Sequence, residues 1–446
     1  MNFPVAFTTA RCVAREFVRA LAVPLHLAGF LCRRRHWQQV ATTTLAAAAT
    51  HDPKAALARF AARCPRPHGR PHVFVSCGEA SGELHAERLV RAVASTAPDL
   101  RWTCFGGQRL AQAGPELLWP LAEHAVFGLR GALRRLPFFI RAFARFERLL
   151  REDRPDLVVL VDYPGLHLVM AAAARRHGIP VLHYIAPQYW AWAPWRMARY
   201  RRAVDATLTI LPFEPAFFAR FGIPSAYVGH PLLDQIETDR PPAPAATAAT
   251  EPPTLVLLPG SRTKEIDRHL PGMLQAAARM RATHPGLRVV IAHRDPRQAA
   301  WIREFLRRQD AAGASVHEGS LAAPLATARV VIAKSGTGSL EAVLRGVPTV
   351  VAYQVSGGLA ERLYSRLLML PFFASANLIA CRAAVPEVAF ASAAGWEIVA
   401  ARAAELLAEG PVRTRCLQDL AEVRARLGPA GASARAARWV LAGVGR

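Results

Sequence analysis

The sequence predicts an α/β protein made of two parallel-sheet halves, with a helical extension in front. Three observations predict it. Leu157-Val158-Val159-Leu160-Val161 is an unbroken run of β-forming residues, as a strand buried on both faces requires. Short apolar runs alternate along the chain with helix-like patterns of 3.6-residue period. Residues 237–253 (ETDRPPAPAATAATEPP) carry five prolines and almost no bulky apolar side chain, so they read as a linker between two such series.

Residues 1–70 come first. They hold eleven Lys/Arg and two acids, Glu16 and Asp52. The apolar run at 20–32 is interrupted by Pro24 and His26 and followed by Arg33-Arg34-Arg35, short of the roughly 20 apolar residues a spanning helix needs. A membrane-surface anchor, a targeting segment and a plain helical extension all fit this composition.

The first α/β half spans 71–236. Val73-Phe74-Val75 is a strand, Gly78 to Gly82 a turn and Leu84 to Ala94 a helix. Trp102 to Phe105, Leu157 to Val161, Val181 to Ile185, Ala206 to Ile210 and Ala226 to Val228 are further strands. Ala171 to His177 is helical and stops at Gly178. The second half spans 254–430, with strands at Leu255–Leu258, Arg288–Ala292, Val316-His317, Val330–Ala333 and Thr349–Ala352; residues 431–446 form a C-terminal helix or tail. In open parallel sheets ligands bind at the carboxyl ends of strands, so a cleft between two halves is the expected site.

Lys and Arg number 56 against 33 Asp and Glu, a formal charge of +23. Such a chain attracts anions, whether phosphorylated substrates, anionic lipid or nucleic acid. No DNA-binding motif or long basic tail supports the last. The seven scattered cysteines lack metal-ligand spacing and read as reduced thiols.

Two turns bear on phosphate chemistry. Leu257-Leu258-Pro259-Gly260-Ser261-Arg262 and Ala333-Lys334-Ser335-Gly336-Thr337-Gly338-Ser339-Leu340-Glu341 each run from a strand through small residues into a helix. Glycine lets the backbone approach an anion, and N–H groups at a helix start face it. Arg262 adds a bidentate fork, and Glu341 lies one turn into its helix, where it can accept from ribose hydroxyls. In the first half Gly78-Glu79-Ala80-Ser81-Gly82 and Asp162-Tyr163-Pro164-Gly165 follow strands directly. Asp162 at a strand end can take a proton from a sugar hydroxyl, or can cap the helix that begins near Leu166. Aromatics after Tyr184, including Trp190, suit a sugar ring, a lipid interface or simple loop packing. Residues 126–150 repeat Leu136, Phe139, Ile140, Phe143 and Phe146 at helical spacing, with arginines interleaved. They suit an in-plane membrane element or a core-facing helix with a basic outer face.

Taken together, SCGEASGELH, FGGQRLAQAG, VDYPGLHL, HYIAPQYWAWAPWR, LPFEPAFF, VGHPLLD, LPGSRTKEI, SGTGSLEAVLRGVPTVVAY and NLIACR resemble, in order, the blocks of the lipid-A-disaccharide synthase family over about residues 72–430. The resemblance implies the GT-B fold, two Rossmann-like domains facing across a cleft. It implies an inverting transfer of a 2,3-diacylglucosamine from UDP to a 2,3-diacylglucosamine 1-phosphate, with no metal or other cofactor, at the cytoplasmic face of the bacterial inner membrane. A homodimer is also implied. Asp162 and Glu79 match the catalytic acids. Gly260, Ser261, Arg262, Ser335, Gly336, Thr337, Glu341, Asn377 and Arg382 match the nucleotide-binding blocks. Ser81, Arg130, Arg134, Leu136, Phe139, Phe143 and Trp190 fall on the acceptor and membrane side. Glu83 and Ala86 depart from the family pattern after the first loop, and Gly131 and Ala132 do so in a block on the acceptor side. A related transferase with another lipid acceptor, or a non-catalytic nucleotide-sugar binder at the membrane, are the alternatives; retention of Asp162 with Arg262 and Glu341 argues against the binder.

Overall fold

Two parallel sheets, each wound with helices on both faces, organise the chain. The computed structural model describes residues 3–46, 52–67, 69–124, 135–239, 252–309, 313–355 and 370–446. The expected acceptor residues Arg130 and Arg134, the departures Gly131 and Ala132 and most of the 237–253 linker lie outside these. The chain divides into two units, Met1–Pro231 with Gly431–Arg446, and Leu232–Ala430.

In the first unit, α1 (Phe3–Leu21), α2 (Val23–Cys32), α3 (Arg34–Ala46) and α4 (Pro53–Ala61) precede β1 (His72–Cys77). Then follow α5 (Ala80–Ala94), β2 (Arg101–Phe105), α6 (Gln108–Ala111), β3 (Glu116–Trp119), α7 (Leu136–Glu152), β4 (Leu157–Val161), α8 (Pro164–Arg176) and β5 (Val181–Tyr184). The unit continues with α9 (Met197–Ala203), β6 (Ala206–Thr209), α10 (Glu214–Ala219) and β7 (Ser225–Tyr227); α11 (Pro231–Thr238) leads into the second unit. All strands are parallel, in the order β3-β2-β1-β4-β5-β6-β7. Every residue of β1 and β4 is buried, which is why their sequences lack the alternation of a half-exposed strand.

The second unit runs β8 (Thr254–Leu258), α12 (Thr263–Thr283), β9 (Arg288–His293), α13 (Pro296–Arg308), β10 (Ala314–Glu318), α14 (Ala322–Thr327), β11 (Ala328–Lys334), α15 (Thr337–Leu344) and β12 (Thr349–Gln354). After these come α16 (Ser375–Ala380), β13 (Glu387–Phe390), α17 (Gly395–Leu407) and α18 (Pro411–Leu427). Its parallel order is β10-β9-β8-β11-β12-β13. The last helix, α19 (Ala432–Gly443), belongs to the first unit and packs on α4 and α5, with Trp439 against Phe60 at 5.7 Å between ring centres.

The extension is folded onto the first unit. Val5, Phe30, Ala41 and Leu45 are buried. Phe30 meets Trp195 edge to face, Arg199 forks onto Glu16, Arg151 donates to Thr8 and Arg220 to Thr43. All seven cysteines are free thiols. Burial pushes Cys77 well up, so it is an inert core residue. Among the described residues no helix is long and apolar enough to cross a membrane.

Candidate active site

In each sheet the strand order reverses once, between β1 and β4 in the first unit and between β8 and β11 in the second. At such a switch point the flanking loops diverge to opposite faces and leave a crevice at the strand ends. The four loops singled out in the sequence follow these four strands.

In the first unit Cys77 pairs with Val161, so Gly78-Glu79 and Asp162-Tyr163 leave neighbouring strands side by side. The Tyr163 ring lies on Gly78, where a Cβ would come within 2.2 Å of it. No other residue fits there without moving the ring. Asp162 and Tyr163 both have left-handed backbones, with φ of 53° and 50°, and Ile185 at the end of β5 has 63°. Each such residue costs about 1–3 kcal/mol and persists only where its surroundings enforce it.

The enforcing groups are two histidines. His167 Nδ1 donates to the Asp162 carbonyl at 2.7 Å and His183 Nε2 donates to the same oxygen at 3.0 Å. A carbonyl only accepts, which fixes both tautomers. His167 Nε2 must then accept from Ser76 Oγ (2.9 Å), and His183 Nδ1 from the Tyr200 hydroxyl (3.0 Å), which accepts from Thr207 (2.9 Å). Burial drives both imidazoles down, His167 to about 3 with help from neighbouring His183, and His183 to about 4. Both are neutral. Burial raises the Asp162 carboxyl, partly offset by the Tyr163 N–H, which makes it a stronger base than a solvated carboxylate. Burial and the nearby Glu79 charge raise the Tyr163 phenol. Asp162 does not cap a helix: α8 starts at Pro164, with Tyr163 in the capping position. The turn expected from Gly78 to Gly82 is shorter, because α5 begins at Ala80 and takes the exposed Ser81 into its first turn. Of the departures, Glu83 accepts from the Leu110 N–H at 3.0 Å at the start of α6, and Ala86 is buried in α5.

In the second unit Leu258 pairs with Ala333. Gly260 has φ of 122°, and a Cβ there would meet Glu265 at 2.7 Å. Glu265 is held by three groups: the Ser261 N–H at 3.1 Å, Arg262 Nη1 at 3.0 Å and Lys334 Nζ at 3.0 Å. Burial pushes Glu265 up, but Lys334, the Ser261 N–H and Arg262 outweigh it and hold the carboxyl below its usual range. Two cations and a helix-start N–H thus converge on a carboxylate, the arrangement that binds a phosphate oxygen. Ser335 donates to the Phe373 carbonyl, and Gly336 (φ 154°) precedes α15, whose first residue is Thr337. Glu341 is 1% exposed and receives both oxygens' worth of contact from Arg294 (2.7 and 2.8 Å) and one bond from Arg345 (3.3 Å). Arg382 pairs with Asp419 at 2.8 Å and with Glu422.

Three expected site residues are core instead. Asn377 is fully buried; its amide accepts from the Ala384 and Val385 N–H groups and donates to the Val385 carbonyl, so it shapes its own turn. Trp190 is 2% exposed and donates to Glu214 at 2.9 Å, which removes it from any acceptor or membrane surface. Phe143 is 4% exposed on the inner face of α7; on that helix Leu136 is exposed and Phe139 half-buried. Sequence reasoning passed over Lys334, Glu265, His167 and His183. Lys334 stands inside a quoted turn and Glu265 inside the block LPGSRTKEI; the histidines sit on otherwise apolar elements, where histidine usually reads as core.

Two Rossmann-like parallel sheets with loops of this kind at both switch points define the GT-B fold class. Solved structures share the architecture: S. aureus MnaA in a UDP co-structure (13% identity, TM-score 0.57, covering 83% of this chain and 96% of that one) and the calicheamicin glycosyltransferase CalG4 (18%, 0.52, 85% and 99%). At these identities they speak for the fold alone. The family model for Lipid-A-disaccharide synthetase matches residues 73–427. Lipid-A-disaccharide synthases of Myxococcus xanthus (38% identical, 83% of this chain, 97% of theirs) and Azotobacter vinelandii (37%, 83% and 97%) align along nearly their whole length. The chain belongs to the lipid-A-disaccharide synthase family.

Proposed function

We propose that this glycosyltransferase moves a 2,3-diacylglucosamine from UDP to the 6-hydroxyl of a 2,3-diacylglucosamine 1-phosphate, giving a β-1,6-linked lipid A disaccharide 1-phosphate and UDP. The observation that carries the reading is the division of labour between the switch points in a chain of this family: a raised carboxylate at one, converging cations at the other. Asp162 takes the proton of the acceptor hydroxyl as its oxygen bonds to the donor's anomeric carbon from the face opposite UDP. The bond from that carbon to the diphosphate oxygen breaks, and the configuration inverts. Glu79, on the adjacent loop, helps orient the acceptor. Arg262 and Lys334 meet the charge that develops on the departing UDP, so protein cations supply the electrostatic stabilisation without a metal. Glu341 keeps lone-pair capacity beyond Arg294 and Arg345 for a ribose hydroxyl. The lipid acceptor, a peripheral site at the cytoplasmic face of the inner membrane and a homodimer belong to the same proposal; the surplus of 56 basic over 33 acidic residues supports attraction to an anionic surface.

Incubating the protein with UDP-2,3-diacylglucosamine and 2,3-diacylglucosamine 1-phosphate tests it. Mass spectrometry is expected to find the disaccharide 1-phosphate and one UDP per product. UDP release without disaccharide, or transfer only to a different lipid, would overturn the acceptor assignment.

A further inference from the structure

The extension and the first unit together form a basic trough that the transfer reaction does not use. A cavity of about 560 Å3 lies among α1, α2, α8 and α9, lined by Arg19, Arg175, Arg176, Arg199 and Arg202 with Trp195. A second cavity of about 420 Å3 shares Arg19, Arg176 and Arg199 with it and adds Arg11 and Arg15. Three carboxylates pair with these arginines: Glu16 with Arg19 and Arg199, Asp205 with Arg175, and Glu147 with Arg176. Among the described residues, seven lining arginines stand against those three acids. The trough therefore carries more cations than acids.

The neighbouring surface says what kind of anion such a trough suits. Successive residues on an α-helix are turned by about 100°. On α1 this places buried Val5 and Thr9 with Glu16 in one sector, Arg11, Arg15 and Arg19 in the next, and Phe7, Phe17, Val18 and Leu21 in the third. The third sector is exposed, with Leu21 at 65%, and Leu25 on α2 is exposed at 76%. A row of arginines beside an exposed apolar sector, on a helix anchored by its remaining face, is the pattern of an element lying in a bilayer interface. A soluble phosphate would use the arginines and leave the apolar sector in water. Phe7 to Leu25 also precede the family-matching residues 73–427, so this surface is an addition to the transferase rather than part of its shared machinery.

We infer that the trough binds phosphate headgroups of anionic phospholipids while Phe17, Val18, Leu21 and Leu25 enter the interface, docking the first unit on the membrane. The inference rests on the peripheral-membrane reading above and names the surface responsible.

The test is sedimentation of the full chain with phosphatidylcholine vesicles, with and without phosphatidylglycerol. The parent is expected to sediment with the anionic vesicles alone. Arg11→Gln/Arg15→Gln/Arg202→Gln removes three cations and is expected to weaken binding roughly a hundredfold, at about 1 kcal/mol per basic residue. Leu21→Ser/Leu25→Ser is expected to weaken it roughly tenfold. Both sets replace exposed side chains, so thermal melting and UDP affinity are expected to match the parent. If the parent sediments with neither vesicle, the peripheral reading itself falls. If the parent sediments and both variants do so equally well, only this surface is overturned. Release of the parent by inorganic pyrophosphate, or displacement by an oligonucleotide, with the leucine variant behaving like the parent, would make the trough a soluble-anion or nucleic-acid site and overturn the inference.

Discussion

His167 Nδ1 donates to the backbone carbonyl of Asp162 at 2.7 Å, and that bond, shared with His183, holds the proposed base in a left-handed conformation. The contact is to the main chain, so the Asp162 carboxylate stays available for chemistry while its Cα is clamped from behind. Ser76 at one end and Thr207 at the other, both buried in strands, anchor the clamp to the sheet. A base held this way reaches the same position in every turnover, which is where much of the rate of a group transfer comes from.

Replacing His167 by Leu is therefore expected to lower turnover roughly a hundredfold while UDP affinity stays within about twofold, since misplacing a reacting group by about 1 Å costs that much. His167→Asn puts an amide N–H where Nδ1 stood and is expected to recover most of the rate; His183→Gln does the same for Nε2. The pH dependence of stability separates this clamp from general packing. Each imidazole titrates near 6.5 when unfolded but near 3 or 4 when folded, so below pH 6.5 the unfolded chain binds the extra protons. The stabilisation is complete above pH 6.5 and is lost as pH falls towards 4, by about 1.4 kcal/mol per pH unit for each histidine. Denaturant titrations of His167→Leu are expected to show a shallower loss over that window than the parent. An equal slope would mean that His167 is charged in the folded protein.

Asp162→Asn is expected to remove about a hundred- to ten-thousand-fold of turnover, the range for a lost general base, with UDP affinity unchanged. Asparagine tolerates the left-handed region and keeps the carbonyl that the histidines hold, so the melting temperature is expected to stay near the parent's. Near-parent turnover would exclude Asp162 as the base. Because burial raises its carboxyl, the acid limb of kcat/KM against pH is expected above the ordinary carboxylate range, and to vanish in Asp162→Asn.

The central strands and all four site loops were legible in the sequence because buried parallel strands are unbroken apolar runs and the loops that follow them at a switch point need small residues. The edges were not. β3 (ELLW) and β13 (EVAF) are short, half-exposed and lack a continuous apolar run. Spacing could put Glu341 one turn into α15, but not show that Arg294, 47 residues earlier, occupies it. Helical periodicity found α7 but could not say which face is inward, and Phe143 and Phe146 proved to be the inner one. The docking of the extension rests on contacts such as Arg199 to Glu16, 183 residues apart, for which a single sequence carries no local signal.

Arg262→Ala and Lys334→Ala are each expected to weaken UDP binding by about 1.5–3 kcal/mol in calorimetry, the range for hydrogen bonds to charged groups. Glu341→Gln is expected to act differently. It takes one carboxylate from Arg294 and from the nearly buried Arg345, which keeps Asp239 at 3.7 Å, so it is expected to lower stability by less than the about 3–5 kcal/mol of a stranded buried charge. A Glu341→Gln protein as stable as the parent but weaker for UDP would make ribose binding its whole role.

Phe143→Ser tests where α7 faces. The ring is 4% exposed, on a helix whose other buried residues include Ala142, Ala144, Phe146 and Leu150. Truncating a buried phenylalanine leaves a cavity and costs about 3–5 kcal/mol, and the new hydroxyl adds to that if it finds no partner. The variant is therefore expected to unfold at markedly lower denaturant concentration. Leu136→Ser, at 41% exposure at the start of the same helix, is expected to cost less than about 1 kcal/mol. Vesicle binding of whatever Phe143→Ser remains folded is expected to equal the parent's, because the ring never reaches the surface. A stable Phe143→Ser protein with weakened vesicle binding would reverse this placement and put the membrane contact on α7 rather than on α1 and α2.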